Sequence, residues 1–140
     1  MELILIRGLP GSGKTTLARS LSGFVHYEAD QYFLDATGHY RFDLEKLGAA
    51  HAWCQASAHA ALCRGLRVVV SNTFVQRWEL QPYLSMCERL GIEPTVLVAN
   101  GGWPSVHAVP DRVRARMKEQ WQDFPGEVLT GCRGQIAEAG

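Results

Sequence analysis

The clearest chemistry in this 140-residue chain is carried by eight consecutive residues. Gly8-Leu9-Pro10-Gly11-Ser12-Gly13-Lys14-Thr15 satisfies the pattern G-x-x-x-x-G-K-[ST] at every position. Glycines at those places let the backbone curl until successive N–H groups point inward at phosphate oxygens. The lysine brings a cation to the β- and γ-phosphates, and the threonine hydroxyl is placed to ligate Mg²⁺. An apolar run, Leu3 to Ile6, stands directly before the loop, and a helical stretch begins near Lys14, adding its positive end to the cradle. The implied ligand is a nucleoside triphosphate, ATP or another NTP, with Mg²⁺. Thr16 closes the binding segment as an ordinary first-turn residue.

Other residues are candidates for the chemistry around those phosphates. Asp30 follows a second short apolar segment, Phe24 to Ala29. A carboxylate there either accepts the proton of a hydroxyl attacking the γ-phosphate, caps the turn that starts at Gln31, or is a solvated loop acid. Asn72 and Thr73, at the mouth of a Val68-Val69-Val70 strand, bond either to metal-bound water or acceptor, or cap the next helix. His39, Tyr40 and Arg41 line either an acceptor pocket, stacking on a base, or a solvated loop. Arg112 and Arg116 share a helix face, turned either to the phosphates or to solvent, while Arg114 points elsewhere. Trp103 is a candidate lid residue over adenine. His51 and His59 lie eight apart on one helix with no third ligand, which argues against a metal centre there.

The elements that must position these groups alternate. Leu3 to Ile6 reads as a strand covered on both faces, followed by a helix from Lys14 to Leu21 that Gly23 ends. Phe24 to Ala29 is the second strand, and Gln31 to Asp43 a loop. Asp43 caps a helix reaching about Arg64, with Leu47, Ala50, Cys54, Ala58, Ala61 and Leu62 as its apolar stripe. Arg67 to Ser71 is a strand; Arg77 to Leu90 is helical, split by Pro82 into a turn and a longer helix that Gly91 closes. Thr95 to Ala99 is a further strand, Asn100 to Pro110 a loop, and Asp111 to Asp123 an Arg-rich helix with Val113, Met117 and Trp121 on one face. The tail from Phe124 shows little periodicity and is expected to pack loosely. Such alternation specifies a three-layer α/β/α fold, with a parallel sheet of four or five strands between helices. Right-handed crossovers then gather the glycine loop, Asp30 and Ser71-Asn72-Thr73 at one edge.

Bulk properties narrow the partners. One domain over residues 1–140 accommodates the length, with a core at about 2–123 and the tail at 124–140. Lys+Arg and Asp+Glu are equal at 14 each, so no global field draws in a polyanion, and a nucleic acid would need a local patch. Cys54, Cys63, Cys87 and Cys132 form no CxxC pair and read as reduced, mostly buried thiols. The leading apolar run is too short for a signal segment or a membrane span, which points to a soluble, cytoplasmic chain with no membrane partner.

Taken in order, further motifs give the chain a resemblance. Arg7-Gly8-Leu9-Pro10-Gly11-Ser12-Gly13-Lys14-Thr15-Thr16-Leu17-Ala18 is followed by Asp30-Gln31-Tyr32-Phe33, Gly38-His39-Tyr40-Arg41-Phe42-Asp43 and Ala50-His51-Ala52-Trp53. Then come Ser71-Asn72-Thr73, Trp78-Glu79 with Pro82-Tyr83, and Val109-Pro110 with Arg116-Met117. Over about residues 3–122 the sequence resembles the P-loop (Walker A) kinase domains of the polynucleotide-kinase-like group. That group includes small AAA-type ATP-binding proteins and the kinase-like domain of NEDD4-binding proteins. The resemblance implies an adenylate-kinase-like fold and an ATP-dependent phosphotransferase in which Asp30 is the general base. An arginine from the 112–116 helix would offset transition-state charge, and the acceptor would be a polynucleotide 5′-hydroxyl. A nucleoside or small alcohol stays open as acceptor, as does a nucleotide-binding regulatory module without transfer. Three departures from the group's pattern stand out. Gln31 replaces a second acid, and Ser71 replaces a strand-terminal Asp that would serve Mg²⁺ or water. Pro104 and Ser105 lie where basic lid residues are expected. A plain NTPase is disfavoured by the same Ser71.

Overall fold

The computed structural model describes residues 1–99 and 111–130. Strand β1 (Glu2–Arg7) has five consecutive buried residues because helices cover both of its faces. It pairs in parallel with β3 (Arg67–Asn72) on one side and β4 (Thr95–Ala99) on the other. β2 (Val25–Tyr27) flanks β3, and β5 (Val128–Thr130) flanks β4, so the all-parallel sheet runs β2-β3-β1-β4-β5. Side chains alternate along β1. Leu3 and Leu5 join Val68 and Val70 under α2 (Leu47–Cys63) and α3 (Arg77–Leu90), against Cys54, Leu62, Leu80 and Tyr83. Ile4 and Ile6 face the other way with Val69 and Leu97, onto Leu17 and Ala18 of α1 (Lys14–Arg19). This is the expected three-layer α/β/α fold, and every strand ends at the same edge.

Several boundaries differ from expectation. α1 stops at Arg19 rather than Leu21. β2 is shorter than Phe24–Ala29 because the Ala29 N–H turns to the Asn72 side chain, opening a 3₁₀ turn at Ala29–Phe33. Asp30 therefore sits inside a turn, one residue past its start. The Asp43 carboxylate does cap its helix, accepting the Glu45 N–H at 3.0 Å, but the first turn, Leu44–Lys46, is 3₁₀ and α2 proper follows.

Pro82 does not split α3, which is continuous over Arg77–Leu90. Glu79 reaches back to the Gln76 N–H at 2.8 Å, and this reciprocal cap holds the first turn together. The one hydrogen bond that proline removes would have gone to the carbonyl of Trp78, a residue 69% exposed to water. The Arg-rich helix, α4 (Asp111–Gln120), ends three residues before Asp123.

The segment beyond it is not loose over its described part. Gln122 N–H donates to the Val75 carbonyl at 2.9 Å, and Val128–Thr130 extends the sheet as its fifth strand. Cys54 and Cys87 are buried thiols, as expected, whereas Cys63 is exposed; all three are free. Cys132 lies outside the described residues, as do Trp103, Pro104, Ser105 and Val109-Pro110.

Candidate functional site

Two long-range contacts assemble the edge where β1, β2 and β3 end. Gly8 N–H donates to the Thr73 carbonyl at 3.2 Å, seating the glycine loop on the turn after β3. Ala29 N–H donates to Asn72 Oδ1 at 2.9 Å, seating the turn that bears Asp30 on the same strand end. Asn72 is thus a buried tie between elements, neither of the roles expected from the sequence.

Within the loop, Gly11 (φ 81°) and Gly13 (φ 88°) take left-handed conformations that a side chain would strain. Gly13 is the N-cap of α1 and offers no side-chain cap, so the first-turn N–H groups are left for an external acceptor. Leu9 and Pro10 form the loop's outer bend, where Ser12 N–H closes on the Leu9 carbonyl at 3.0 Å. Ser12 Oγ is shielded from solvent with no hydrogen-bond partner among the described residues. An anion-shaped cradle with an orphaned hydroxyl and an open helix start fits a phosphate chain. Thr16 is exposed on α1, an ordinary first-turn residue.

Gly8 is tightly constrained. A Cβ there would stand 2.2 Å from Ser12 Oγ and 2.8 Å from the Ala99 carbonyl oxygen. The hydroxyl can rotate away; the strand carbonyl cannot. Gly8→Ala should therefore cost about 1–3 kcal/mol and weaken nucleotide binding, read from thermal melts with and without ATP.

Lys14 opens α1 beside two carboxylates. Burial pushes its ammonium below its ordinary pKa, while the charges of Glu28 and Asp30 pull it back up. Thr15 Oγ1 donates to Glu28 Oε2 at 3.0 Å, and Ser71 Oγ donates to the same oxygen at 3.1 Å. With its single proton given to Glu28, the Ser71 oxygen accepts from His26 Nε2 at 2.7 Å. Burial holds His26 below its ordinary pKa, with Arg19 in the same direction and Glu28 opposing. The acid expected to be missing beside Ser71 is thus present, contributed by Glu28 after β2. In the sequence Glu28 stands as one residue of the second strand; its signal is Glu28-Ala29-Asp30, two acids at alternate positions where a strand ends.

Asp30 accepts from the Tyr40 hydroxyl at 3.2 Å. Burial, with Asp30 beside it, pushes that phenol up to about 12. Of the three loop candidates Tyr40 bonds Asp30, whereas His39 and Arg41 are exposed and held by Asp35, with Arg41 also lining an open groove beside Tyr32, Phe33 and Phe42. Asp35 accepts from Thr37 Oγ1, His39 N–H, Thr37 N–H and Arg41 Nε, and these bonds hold its carboxyl down to about 2. The folded value lies below the usual 3.8, so this contribution is complete above that pH and lost as pH falls through about 2. Amide exchange at Thr37 and His39 should accelerate between those limits while exchange in β1 and β3 does not.

Arg112 and Arg116 are exposed on α4, whereas Arg114 is half-buried, its Nε shielded and without a partner among the described residues. Neither Arg112 nor Arg116 is brought to Lys14 or Asp30 by a hydrogen bond or ion pair among the described residues. No cluster of three His, Cys, Asp or Glu side chains there could hold a metal unaided. No described helix is long and apolar enough to cross a membrane.

Comparison with known proteins gives the family and the fold. A family model described as an AAA domain matches residues 3–137. Human NEDD4-binding protein 2 is 32% identical over 139 residues, covering 89% of this chain but only 8% of that protein. An unliganded sugar kinase from Janibacter superposes with a TM-score of 0.64 at 16% identity, over 94% of this chain and 84% of that one. A chain of the Pnkp1/Rnl/Hen1 RNA repair complex superposes with a TM-score of 0.58 at 21% identity, over 89% of this chain and 40% of that one. At these identities the structural likeness speaks to the fold, that of the adenylate-kinase-like P-loop kinases.

Proposed function

The chain belongs to the AAA-domain family of P-loop kinase-like proteins, and on that premise we propose that it moves the γ-phosphate of ATP to a hydroxyl acceptor. One observation carries the reading: a half-buried lysine at the mouth of a phosphate cradle faces a carboxylate, Asp30, that stands outside the cradle. The residues from Gly8 to Thr15 bind the triphosphate, with loop N–H groups on the β-phosphate and Lys14 across the β- and γ-phosphates. Thr15 is the residue that would hold Mg²⁺, which neutralises charge on the phosphates when bound. Asp30 orients the attacking hydroxyl and takes its proton, and the Tyr40 hydroxyl fixes the carboxylate's position. Arg112 and Arg116 are the candidates to approach from α4 and offset charge on the transferring group.

An open groove of about 670 Å³ is lined by Tyr32, Phe33 and Phe42, with Arg41 and Lys46 set against Asp35 and Asp43. The aromatic faces suit a stacked nucleobase and so support a polynucleotide 5′-hydroxyl as acceptor, while the two carboxylates offset the two cations. A second reading, a nucleotide-binding module without transfer, is favoured by the exposure of Arg112 and Arg116, which leaves the phosphate site with no bonded arginine among the described residues. γ-Labelled ATP offered with a 5′-hydroxyl oligonucleotide and, separately, with nucleosides separates the cases. Label on the oligonucleotide supports the first reading, and label on nucleosides alone reassigns the acceptor. ATP binding with no label on any acceptor supports the module.

A further inference from the structure

We propose that Glu28 supplies the metal-facing carboxylate of this site, reaching from the end of β2 to the place that Ser71 leaves without an acid. The inference rests on the nucleotide-binding part of the function above and not on transfer.

The strand register sets up the geometry. Ile6 pairs with Ser71 across β1 and β3, and Tyr27 pairs with Val70 across β2 and β3. Glu28, next after Tyr27, therefore lies alongside Ser71, one strand further from the glycine loop. A serine there is short, and the longer glutamate spans the gap. Glu28 Oε2 meets Ser71 Oγ at 3.1 Å and Thr15 Oγ1 at 3.0 Å, joining the β3 end to the first turn of α1.

The proton inventory gives this contact its meaning. Thr15 has one hydroxyl proton, and Glu28 holds it, so what the oxygen still offers is lone pairs. A hydroxyl fixed in that way is a cation ligand and no longer a competing donor. Ser71 likewise gives its proton to Glu28 and takes one from His26, so every hydrogen bond in the group orients the carboxylate. Mg²⁺ is bound through one or two carboxylates with waters and substrate phosphates. Among the described residues at this edge, Glu28 and Asp30 are the acids facing Lys14, and Glu28 is the one bonded to Thr15. The two acids then divide the work, one toward the metal and one toward the acceptor.

Mn²⁺ is a suitable probe, titrated by electron paramagnetic resonance into protein loaded with a non-hydrolysable ATP analogue. Wild type, Glu28→Gln and the double variant Glu28→Gln/Ser71→Asp are compared, with analogue affinity in EDTA and thermal melts alongside. Glu28→Gln should weaken Mn²⁺ binding roughly 10- to 100-fold while affinity in EDTA holds. Moving the carboxylate to β3 in the double variant should recover most of that loss. If Glu28→Gln fails to fold, the double variant is read alone, near-wild-type Mn²⁺ affinity supporting the proposal. Mn²⁺ affinity within twofold of wild type in Glu28→Gln would overturn it and leave Glu28 as a tie between strands. A folded double variant as weak as the single would overturn it equally. Absence of analogue binding in wild type would instead sink the function proposed above.

Discussion

Asp30→Asn should lower phosphoryl transfer by roughly 10²- to 10⁴-fold while ATP affinity changes little, the range expected when a positioned base is lost. The substitution is chosen for what it keeps. Asn is as good a turn cap as Asp, and its side-chain oxygen still accepts from Tyr40, so the 3₁₀ turn at Ala29–Phe33 should persist. What disappears is the capacity to take a proton. A purely capping Asp30 predicts near-normal turnover in this variant, so single-turnover rates with matched ATP titrations separate the two roles that the sequence left open. Tyr40→Phe should act through Asp30, with a smaller effect on kcat and little on ATP binding.

Arg7→Met should destabilise the fold by about 3–5 kcal/mol, a large share of the ~5–15 kcal/mol typical of a domain. Arg7 is fully buried at the end of β1, directly before the glycine loop. Its Nε and one terminal nitrogen both reach the Phe74 carbonyl, at 3.0 and 2.6 Å, and that same nitrogen also reaches Val75 at 3.1 Å. The other terminal nitrogen pairs with Glu127 at 2.7 Å, and the guanidinium lies 4.0 Å over the Trp121 ring. Phe74 is held left-handed at φ 46°, a conformation that costs a non-glycine residue about 1–3 kcal/mol and persists only when its surroundings enforce it. Methionine fills the volume but leaves two carbonyls without donors and Glu127 without its cation. Chemical denaturation should show the loss with an unchanged slope, together with weaker ATP binding, because Thr73 next to this clamp carries the glycine loop. A variant as stable as wild type would show that the clamp is dispensable.

The sheet and its helices were readable because burial leaves a direct mark: Leu3 to Ile6 and Val68 to Val70 are unbroken apolar runs. The phosphate loop was readable because its demands are local, with each residue type serving the backbone it sits on. Asp30 could be named from its place after a strand, but its surroundings could not, since Tyr40 bonds it from 10 residues away and Asn72 bonds the neighbouring Ala29 from 43. Glu28 was missed for the same reason. Its partners Thr15 and Ser71 are distant in sequence, and a lone acid near a strand end has no periodicity to betray it. Arg7 directly follows an apolar run in the sequence, yet it is among the most buried side chains, because its partners at Phe74, Val75 and Glu127 exist only once the chain has folded. β5 was overlooked because three residues are too few to show a pattern, and pairing with β4 fixes them.

The most direct test of the account is calorimetric titration of ATP, ADP and AMP into wild type and Lys14→Ala, each with Mg²⁺. Recognition through the glycine loop predicts that ATP and ADP bind and AMP does not, because the β-phosphate is what the loop N–H groups hold. Lys14→Ala should weaken ATP by roughly 10- to 100-fold, the value of a charged hydrogen bond in a shielded site. AMP binding as tightly as ATP, or ATP affinity indifferent to Lys14, would contradict the phosphate cradle and the function built on it.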